Sequence, residues 1–335
     1  MLHFGLETAL HFGIDVCRDK LDCAVLDEQG RRVKRARTFI NDGPGVAELI
    51  HWARGVEVEQ SRHFVLEATA AYHELAATRL HGAGLVVSVV NPAQVRALAR
   101  GLGMLSKTDL IDALLLAQYA RLAEPRQWHP TTPYLQQFNA MLMRLDCLEA
   151  DLRREQNRRE QATVRGSAQC VLACIDGCIE FLRGQCKAMG KASNEHVLAH
   201  DSLSQRITRL RTIPAVGDKT AKRMAAVLGA NDFASAKQVA AFLGLIPVKS
   251  ESGSSVRGRA HLSKAGNPRV RASLYMAAVV AKKINPDVKA LYDRLCAQGK
   301  TKMSALGACM RMLVHICYGV LKSERDYMPP EARHS

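Results

Sequence analysis

The sequence predicts an α/β protein: a mixed β-sheet domain in the first third, followed by a mainly α-helical remainder. Apolar strand-like runs alternate with helical periodicity up to about residue 130, and helical periodicity alone continues over residues 134–211. The charge distribution then sets a basic C-terminal region apart. We therefore expect three domains, a sheet domain at 10–130, a helical coiled-coil connector at 131–205 and a basic domain at 206–325.

The predicted strands of the first domain come in a characteristic order. Residues 11–30 hold two apolar runs around a break, which predicts a β-hairpin, and residues 32–42 add a third strand. Helix, strand, helix, strand and helix then alternate over residues 45–99. Hairpin strands followed by a β-α-β alternation predict a mixed sheet of the ribonuclease H kind.

The connector is predicted to be a long helix. Residues 139–161 carry apolar side chains at helical spacing and then turn strongly polar, which fits a helix or coiled coil that leaves the globular body. An ordinary helical linker explains the pattern equally well. Farther on, Cys170, Cys174, Cys178 and Cys186 stand at helical intervals, so we interpret them as one helix face rather than as a zinc site or disulfides.

Composition excludes several classes of protein. The chain has 335 residues, 47% hydrophobic and 24% charged, which is typical of a globular protein with a buried core. The longest apolar stretch, residues 306–321, contains Arg311 and His315, so we expect no membrane span. The first residues lack the basic start and cleavage site of a secretion signal. We therefore expect a cytoplasmic protein that associates with the nucleoid when it is bound to DNA.

The net charge of +15 lies entirely in the C-terminal part of the chain. Residues 206–335 hold 23 Lys and Arg against 8 Asp and Glu, whereas the preceding residues are balanced. A basic domain beside a neutral one is expected of a nucleic-acid-binding protein, because each neutralised phosphate releases counterions.

Two segments of the basic domain are candidate nucleic-acid contacts. In residues 210–230, Pro214 and Gly217 predict a tight turn before a basic helix, a pattern similar to the helix-hairpin-helix that clamps DNA phosphates. Residues 242–281 contain a Ser/Gly-rich loop, and such loops are often functional. The candidate phosphate-binding residues are Lys219, Lys222, Arg223, Arg257, Arg259, Lys264, Arg269 and Arg271.

Four carboxylates lie where apolar residues are expected. Asp15 and Glu67 fall in predicted strands, and Asp109 and Asp112 share one face at the start of an apolar helix, where Asp109 suits an N-cap. Buried acids are costly unless they are paired or bind metal. Hard oxygen ligands in this number predict a site for Mg²⁺ or Mn²⁺, which would serve phosphodiester chemistry.

The motifs around these acids, "GIDV", "LEAT" and "KTDLIDA", together with the later "GLIPVKSESG" and "LSKAGNPRVRASLYMAA", carry a family resemblance. From about residue 12 to residue 321 the chain resembles the DEDD, RuvC-like transposases of bacterial insertion sequences. That group includes the bridge-RNA-guided serine recombinases and is related to the Piv-type DNA invertases. The resemblance implies a RuvC-like domain whose four acids bind metal and a connector that takes part in self-association.

The resemblance also implies a nucleophilic serine. The family serine maps to Ser252, before Gly253, although Ser250, Ser254 and Ser255 are neighbours and Ser250 is the alternative. The implied reaction cuts and rejoins target and donor DNA through a phosphoserine intermediate, with a bridge RNA as guide. Recombination of two duplexes further implies a homo-oligomer, a dimer that forms a tetramer at synapsis.

Other functions agree with the same residues. A metal-dependent endonuclease or junction resolvase would use the four carboxylates with water as nucleophile. A site-specific DNA invertase would use the serine but exchange ends within one molecule. A non-enzymatic nucleic-acid scaffold would keep the acids for structural reasons.

Overall fold

The computed structural model describes residues 9–56, 61–69, 71–104, 108–248, 251–252, 256–257 and 261–330. The chain divides into two compact units, Met1–Pro130 and Thr131–Ser335. The predicted separation of the second unit into a connector and a basic domain stays a prediction.

The first unit contains one sheet and four helices among its described residues. The predicted hairpin forms, and each later strand and helix appears within a few residues of its expected place. The strands are β1 (Ala9–Val16), β2 (Lys20–Leu26), β3 (Arg32–Ile40), β4 (Ser61–Glu67) and β5 (Val86–Val90), and the helices are α1 (Gly43–Arg54), α2 (His73–Gly82), α3 (Pro92–Gly101) and α4 (Asp109–Ala123).

The sheet is mixed, with the strand order β3-β2-β1-β4-β5. Strand β2 runs antiparallel to both β1 and β3, as hairpin connections require, and β4 and β5 lie parallel to β1 after helical crossovers. The mixed ribonuclease H kind of sheet predicted from the sequence is therefore confirmed.

The two faces of the sheet bury different helices. Phe12 and Ile14 of β1 point to one face with Phe64 and Leu66 of β4, where they share a core with α1 and α2. Since side chains alternate along a strand, the residues between them point to the other face, where Val65 packs against α4. That second face is the one that α4 brings to the ends of β1 and β4.

Gly13 allows α4 to lie directly on β1. A Cβ atom at this position would stand 2.0 Å from the carbonyl oxygen of Ala113 and 2.3 Å from the backbone nitrogen of Ala117. Only glycine permits such a close approach of two backbones. The start of α4 is consequently held close to the end of β1.

The second unit is mainly helical, with short two-residue strands around residues 247–262. Its core gathers apolar side chains from all the described helices of the unit. The helices are α5 (Pro133–Val164), α6 (Gln169–Leu198), α7 (Asp201–Arg211), α8 (Asp218–Gly229), α9 (Ala236–Phe242), α10 (Pro268–Ile284), α11 (Pro286–Ala297) and α12 (Lys302–Ser323), and the strands are β6 (Pro247–Val248), β7 (Glu251–Ser252), β8 (Val256–Arg257) and β9 (His261–Leu262).

Helices α5 and α6 form the long helical region predicted for the connector. They are joined by a short loop and pack against each other, with an ion pair between Arg159 and Asp176. The cysteines at helical intervals lie on α6, where Cys170, Cys174 and Cys178 are exposed free thiols. Self-association through this pair of helices remains a prediction.

The predicted turn before the basic helix lies between α7 and α8. Ala215, rather than Gly217, takes the positive φ of 76° in that turn. Its identification as a DNA-clamping hairpin stays a prediction.

Helix α12 is long and apolar enough to cross a membrane by length and composition alone. Half of its most apolar 18-residue stretch is buried inside the second unit, where Leu313 and Cys317 are fully covered. The helix therefore has the burial of a core helix.

Candidate active site

The four predicted carboxylates of the first unit lie at one edge of the sheet. Asp15 follows Ile14 near the end of β1, and Glu67 ends β4 directly after Leu66, which pairs with Ile14. Both acids alternate onto the face that α4 covers. Asp109 and Asp112 occupy the first turn of α4, which the contact at Gly13 holds over β1.

The charges of these carboxylates influence one another. Burial first, and then the negative charges of Asp112, Asp109 and Glu67, raise the pKa of Asp15 from 3.8 to about 6. The charges of Asp112, Asp109 and Glu67 therefore all act on Asp15, and the roles of the four acids in metal binding and catalysis remain predictions.

A fifth carboxylate, Asp22, belongs to the same neighbourhood. It lies on β2 directly opposite Asp15, its side chain is only 4% exposed, and its charge also raises the pKa of Asp15. Thr38 of β3 donates a hydrogen bond to its Oδ1 atom. Sequence reasoning missed Asp22, although it lies between Leu21 and Cys23 in an apolar strand, the signal that identified Asp15.

Lys20 brings a positive charge to these carboxylates. Its Nζ atom lies 2.6 Å from Oδ2 of Asp109 and 3.0 Å from Oδ2 of Asp22, so one ammonium group bridges a carboxylate of α4 and a buried carboxylate of β2. The hydrogen bond to Asp109, followed by the ion pair with Asp22, raises the pKa of Lys20 above its usual range. The lysine therefore stays charged.

The N-cap of α4 differs from the expectation. Thr108, not Asp109, is the cap: its Oγ1 atom accepts a hydrogen bond from the backbone N–H of Ile111. A threonine cap leaves the Asp109 carboxylate available to Lys20 and to the acid cluster. The prediction that Asp109 serves as the N-cap was wrong for this reason.

The donor set fits a hard divalent cation. Every candidate ligand is a carboxylate oxygen, the donor type that Mg²⁺ and Mn²⁺ prefer, and a dication would remove the repulsion that raises the pKa of Asp15. Within the described part of the chain, no three His, Cys, Asp or Glu side chains are grouped closely enough to hold an ion as they stand. The carboxylates would have to draw together around it.

The predicted nucleophile lies on a small hairpin of the second unit. Ser252 ends β7 and pairs with Val256 of β8. Ser250, Gly253, Ser254 and Ser255 lie outside the described residues. The choice between Ser252 and Ser250 therefore stays a prediction.

The basic face of α8 is occupied by partners within the second unit. Arg223 forms an ion pair with Asp146 of α5 and donates to the carbonyl oxygen of Arg269, and the side chains of Arg223 and Asp146 are only 11% and 13% exposed. Lys219 binds Glu149, also of α5. Lys222 forms an ion pair with Asp218 and donates a hydrogen bond to the Oδ1 atom of Asn194.

Two arginines at the start of α10 are also engaged. Arg271 donates hydrogen bonds to the backbone carbonyl oxygens of Leu243 and Gly266. The Nη1 atom of Arg269 lies 3.7 Å from Oδ2 of Asp146, which makes a second, longer ion pair. Through these partners the guanidinium groups of Arg223 and Arg271 hold neighbouring segments together, and phosphate binding by either of them stays a prediction. Phosphate binding by the remaining candidates stays a prediction.

Lys264 is exposed, at a φ of 56° in the loop before α10, and among the described residues its side chain has no ion-pair partner. Arg257 lies in β8, where the structure describes only the backbone, and Arg259 lies outside the described residues. Lys264 is therefore the described candidate best placed to meet a phosphate.

Two family models match the chain. A transposase model, that of the DEDD transposases of IS110, matches residues 12–163. The model described as "Transposase IS116/IS110/IS902 family" matches residues 207–293. The first match covers all four predicted acids, and the second covers Ser252.

Similar proteins extend along nearly the whole chain. The pilin gene-inverting proteins of Moraxella lacunata and Moraxella bovis are 29% and 28% identical over 95% of this chain and 97% of their own length. An uncharacterized protein of insertion element IS110 from Streptomyces coelicolor is 26% identical over 48% of this chain and 39% of its own. Among solved structures, T. thermophilus RuvC in complex with Holliday junction substrate covers 36% of this chain and 99% of its own at 19% identity, with a TM-score of 0.26.

Proposed function

The chain carries the two transposase domains of the IS110/IS116/IS902 family, and from this premise we propose that it cuts and rejoins target and donor DNA. The observation that carries the proposal is the shared neighbourhood of Asp15, Glu67, Asp109 and Asp112 at one sheet edge. Clustered carboxylates whose charges repel one another are typical of metal-dependent phosphodiester chemistry.

In this proposal the four carboxylates hold Mg²⁺ or Mn²⁺. The bound ion would neutralise charge on the scissile phosphate and make a hydroxyl group more acidic. Asp15 and Glu67 offer ligands from the rigid ends of two adjacent strands, and Asp109 and Asp112 offer them from one helical turn. Ligands fixed on regular elements hold their geometry better than ligands on loops.

Ser252 supplies the nucleophile. Its Oγ atom forms a bond to phosphorus, the bond from phosphorus to the leaving DNA oxygen breaks, and the serine proton passes through a base to that leaving oxygen. The phosphoserine bond conserves the energy of the broken linkage, so a free DNA hydroxyl can reverse the step and join a new end. Cleavage and rejoining then need no external energy source.

A denaturing gel with labelled junction DNA tests the serine step. The unmodified protein and Ser250→Ala should both yield DNA that migrates covalently with the chain, whereas Ser252→Ala should yield none and should not cut. Asp109→Asn should abolish both products because the metal site is lost. Undiminished cutting by Ser252→Ala would favour the endonuclease that uses water.

The proposal extends to partners. A bridge RNA guides the choice of DNA, the protein acts as a homo-oligomer that brings two duplexes together, and it works in the bacterial cytoplasm on nucleoid DNA. The excess of basic residues beyond residue 206 supports binding of either nucleic acid. Copurified RNA of defined length, released by ribonuclease and required for cutting, tests the guide.

DNA inversion is the second candidate function. The observation that favours it is the match to gene-inverting proteins over 97% of their length. A plasmid that carries the two element junctions in opposite orientation separates the functions. Inversion of the intervening segment supports an invertase, and transfer into a second plasmid supports a transposase.

A further inference from the structure

Lys20 connects two carboxylates that have different surroundings. Asp22 is buried and fixed, since its Oδ1 atom accepts the hydrogen bond of Thr38 and its Oδ2 atom lies 3.0 Å from the Lys20 ammonium. Asp109 is about half exposed, and its Oδ2 atom forms an ion pair with the Lys20 ammonium at 2.6 Å. One ammonium group therefore lies between a buried carboxylate and a half-exposed one.

The ion pair with Asp109 conflicts with metal binding at that residue. A carboxylate oxygen that accepts an ammonium hydrogen bond at 2.6 Å cannot bind an ion with the same lone pair. In addition, an ammonium and a dication repel each other strongly at such short separations. The oxygen has a second lone pair, but the repulsion between the two cations weakens metal binding at Asp109 for as long as Lys20 holds that carboxylate.

Because of this conflict, we propose that Lys20 is a built-in counter-cation that competes with the divalent metal for Asp109. The proposal rests on the proposed function, since it requires the four-carboxylate metal site. Without metal, Lys20 bridges Asp22 and Asp109 and offsets part of the repulsion in the cluster. When metal binds, Lys20 releases Asp109 and stays on Asp22, which remains buried beside Asp15.

The grouping of the acids supports this proposal. The Asp109 carboxylate is near enough to raise the pKa of Asp15, but it forms its ion pair with Lys20. Among the described residues, no three carboxylates lie close enough together to hold a metal ion as they stand. Release of Asp109 is the movement that would let it join Asp15. The opposite role, in which Lys20 orients Asp109 for the metal, predicts the opposite effect of removing the lysine.

Manganese titration of the full chain without DNA tests the proposal, with free Mn²⁺ measured by electron paramagnetic resonance. Lys20→Met should bind Mn²⁺ roughly threefold to tenfold more tightly than the unmodified protein, because an exposed ion pair of ordinary strength no longer opposes the metal. Lys20→Arg keeps the charge and should retain the original affinity. The matched control is Lys34→Met on β3, whose ammonium lies over the Trp52 ring and away from the acids; it should change nothing.

A double-mutant cycle separates competition from other effects. In an Asp109→Asn background, Lys20→Met should give no gain in affinity, because the contested oxygen is no longer charged. Equal or weaker Mn²⁺ binding by Lys20→Met in the otherwise unmodified chain overturns the proposal but leaves the metal site intact. If the unmodified protein binds no Mn²⁺ even with DNA present, the proposed metal site fails, and the role of Lys20 fails with it.

Discussion

Single residues carry the chemistry of the sheet edge, and Asp15 is the most informative. It sits opposite Asp22 and within the field of three other acids, so its ionised form is disfavoured. Lys20 offsets this repulsion only in part, since it binds Asp22 and Asp109 but not Asp15. A site of this kind gives up stability in the metal-free protein for affinity toward a cation.

We expect Asp15→Asn to stabilise the metal-free protein. Between pH 3.8 and about 6 the folded state binds more protons than the unfolded state, so the stability of the unmodified protein should fall as pH rises through this window. At neutral pH the asparagine variant should therefore gain roughly 1–2 kcal/mol, after allowance for solvent screening.

Thermal unfolding from pH 4 to pH 7.5 in a chelator measures this effect. The difference in melting temperature between Asp15→Asn and the unmodified protein should widen as pH rises. Added Mg²⁺ should stabilise only the unmodified protein. A variant that is less stable at neutral pH would show that Asp15 has a favourable structural partner instead of an unfavourable charge.

At the scale of elements, two helix contacts decide the geometry. Helix α4 reaches the site only because Gly13 lets its backbone lie on β1, and α8 is fixed to α5 by the buried pair of Arg223 and Asp146. The first contact positions acids, and the second removes a guanidinium from the set that can meet DNA. Both depend on packing between distant segments of the chain.

Gly13→Ala should displace α4. Its methyl group would overlap the carbonyl oxygen of Ala113, so we expect a loss of at least about 2 kcal/mol of stability together with weaker Mn²⁺ binding. The matched control is Gly82→Ala at the end of α2, where an added methyl group meets nothing within 4 Å. Equal melting temperatures for the two variants would contradict the close contact.

Arg223→Met should destabilise the second unit by about 3 kcal/mol. It leaves the buried Asp146 carboxylate with the longer ion pair to Arg269, at 3.7 Å from Nη1 to Oδ2. Lys219→Met, which removes the 56% exposed partner of Glu149, should cost under about 1 kcal/mol. Differential scanning calorimetry measures both. If Arg223→Met melts normally yet loses DNA affinity, its guanidinium contacts phosphate and the structural role is wrong.

The sequence allowed the local part of this architecture to be predicted, and the long-range part only incompletely. Strand and helix periodicity placed β1, β4 and α4 and identified Asp15, Glu67, Asp109 and Asp112 as misplaced acids. The roles of Lys20, Asp22 and Arg223 depend on strand register and helix packing, which join residues far apart in the chain. Charge counting alone could not distinguish an arginine that binds an aspartate from one that is free for phosphate.

At the scale of the whole molecule, the excess of basic residues leads us to expect that nucleic acid binds to the second unit. The 23 basic residues beyond residue 205 outnumber 8 acidic ones, yet several of the predicted contacts have partners within the protein. The electrostatic attraction is therefore expected to come from exposed cations such as Lys264, not from the face of α8.

The salt dependence of DNA binding tests this distribution. Affinity should fall steeply as salt rises, and Lys264→Gln should reduce the slope of log K against log salt by about 1 through the loss of one phosphate contact. Lys191→Gln on α6, which removes an exposed lysine beside Glu195, is the control and should leave the slope unchanged. Equal slopes for Lys264→Gln and the unmodified protein would remove Lys264 from the interface.

Anomalous diffraction from crystals soaked in Mn²⁺ decides whether the acids at the sheet edge hold a divalent metal. We expect an anomalous peak bound by the carboxylates of Asp15, Glu67 and the first turn of α4, with Lys20 withdrawn from Asp109. An empty sheet edge in crystals whose protein still cuts DNA would contradict it.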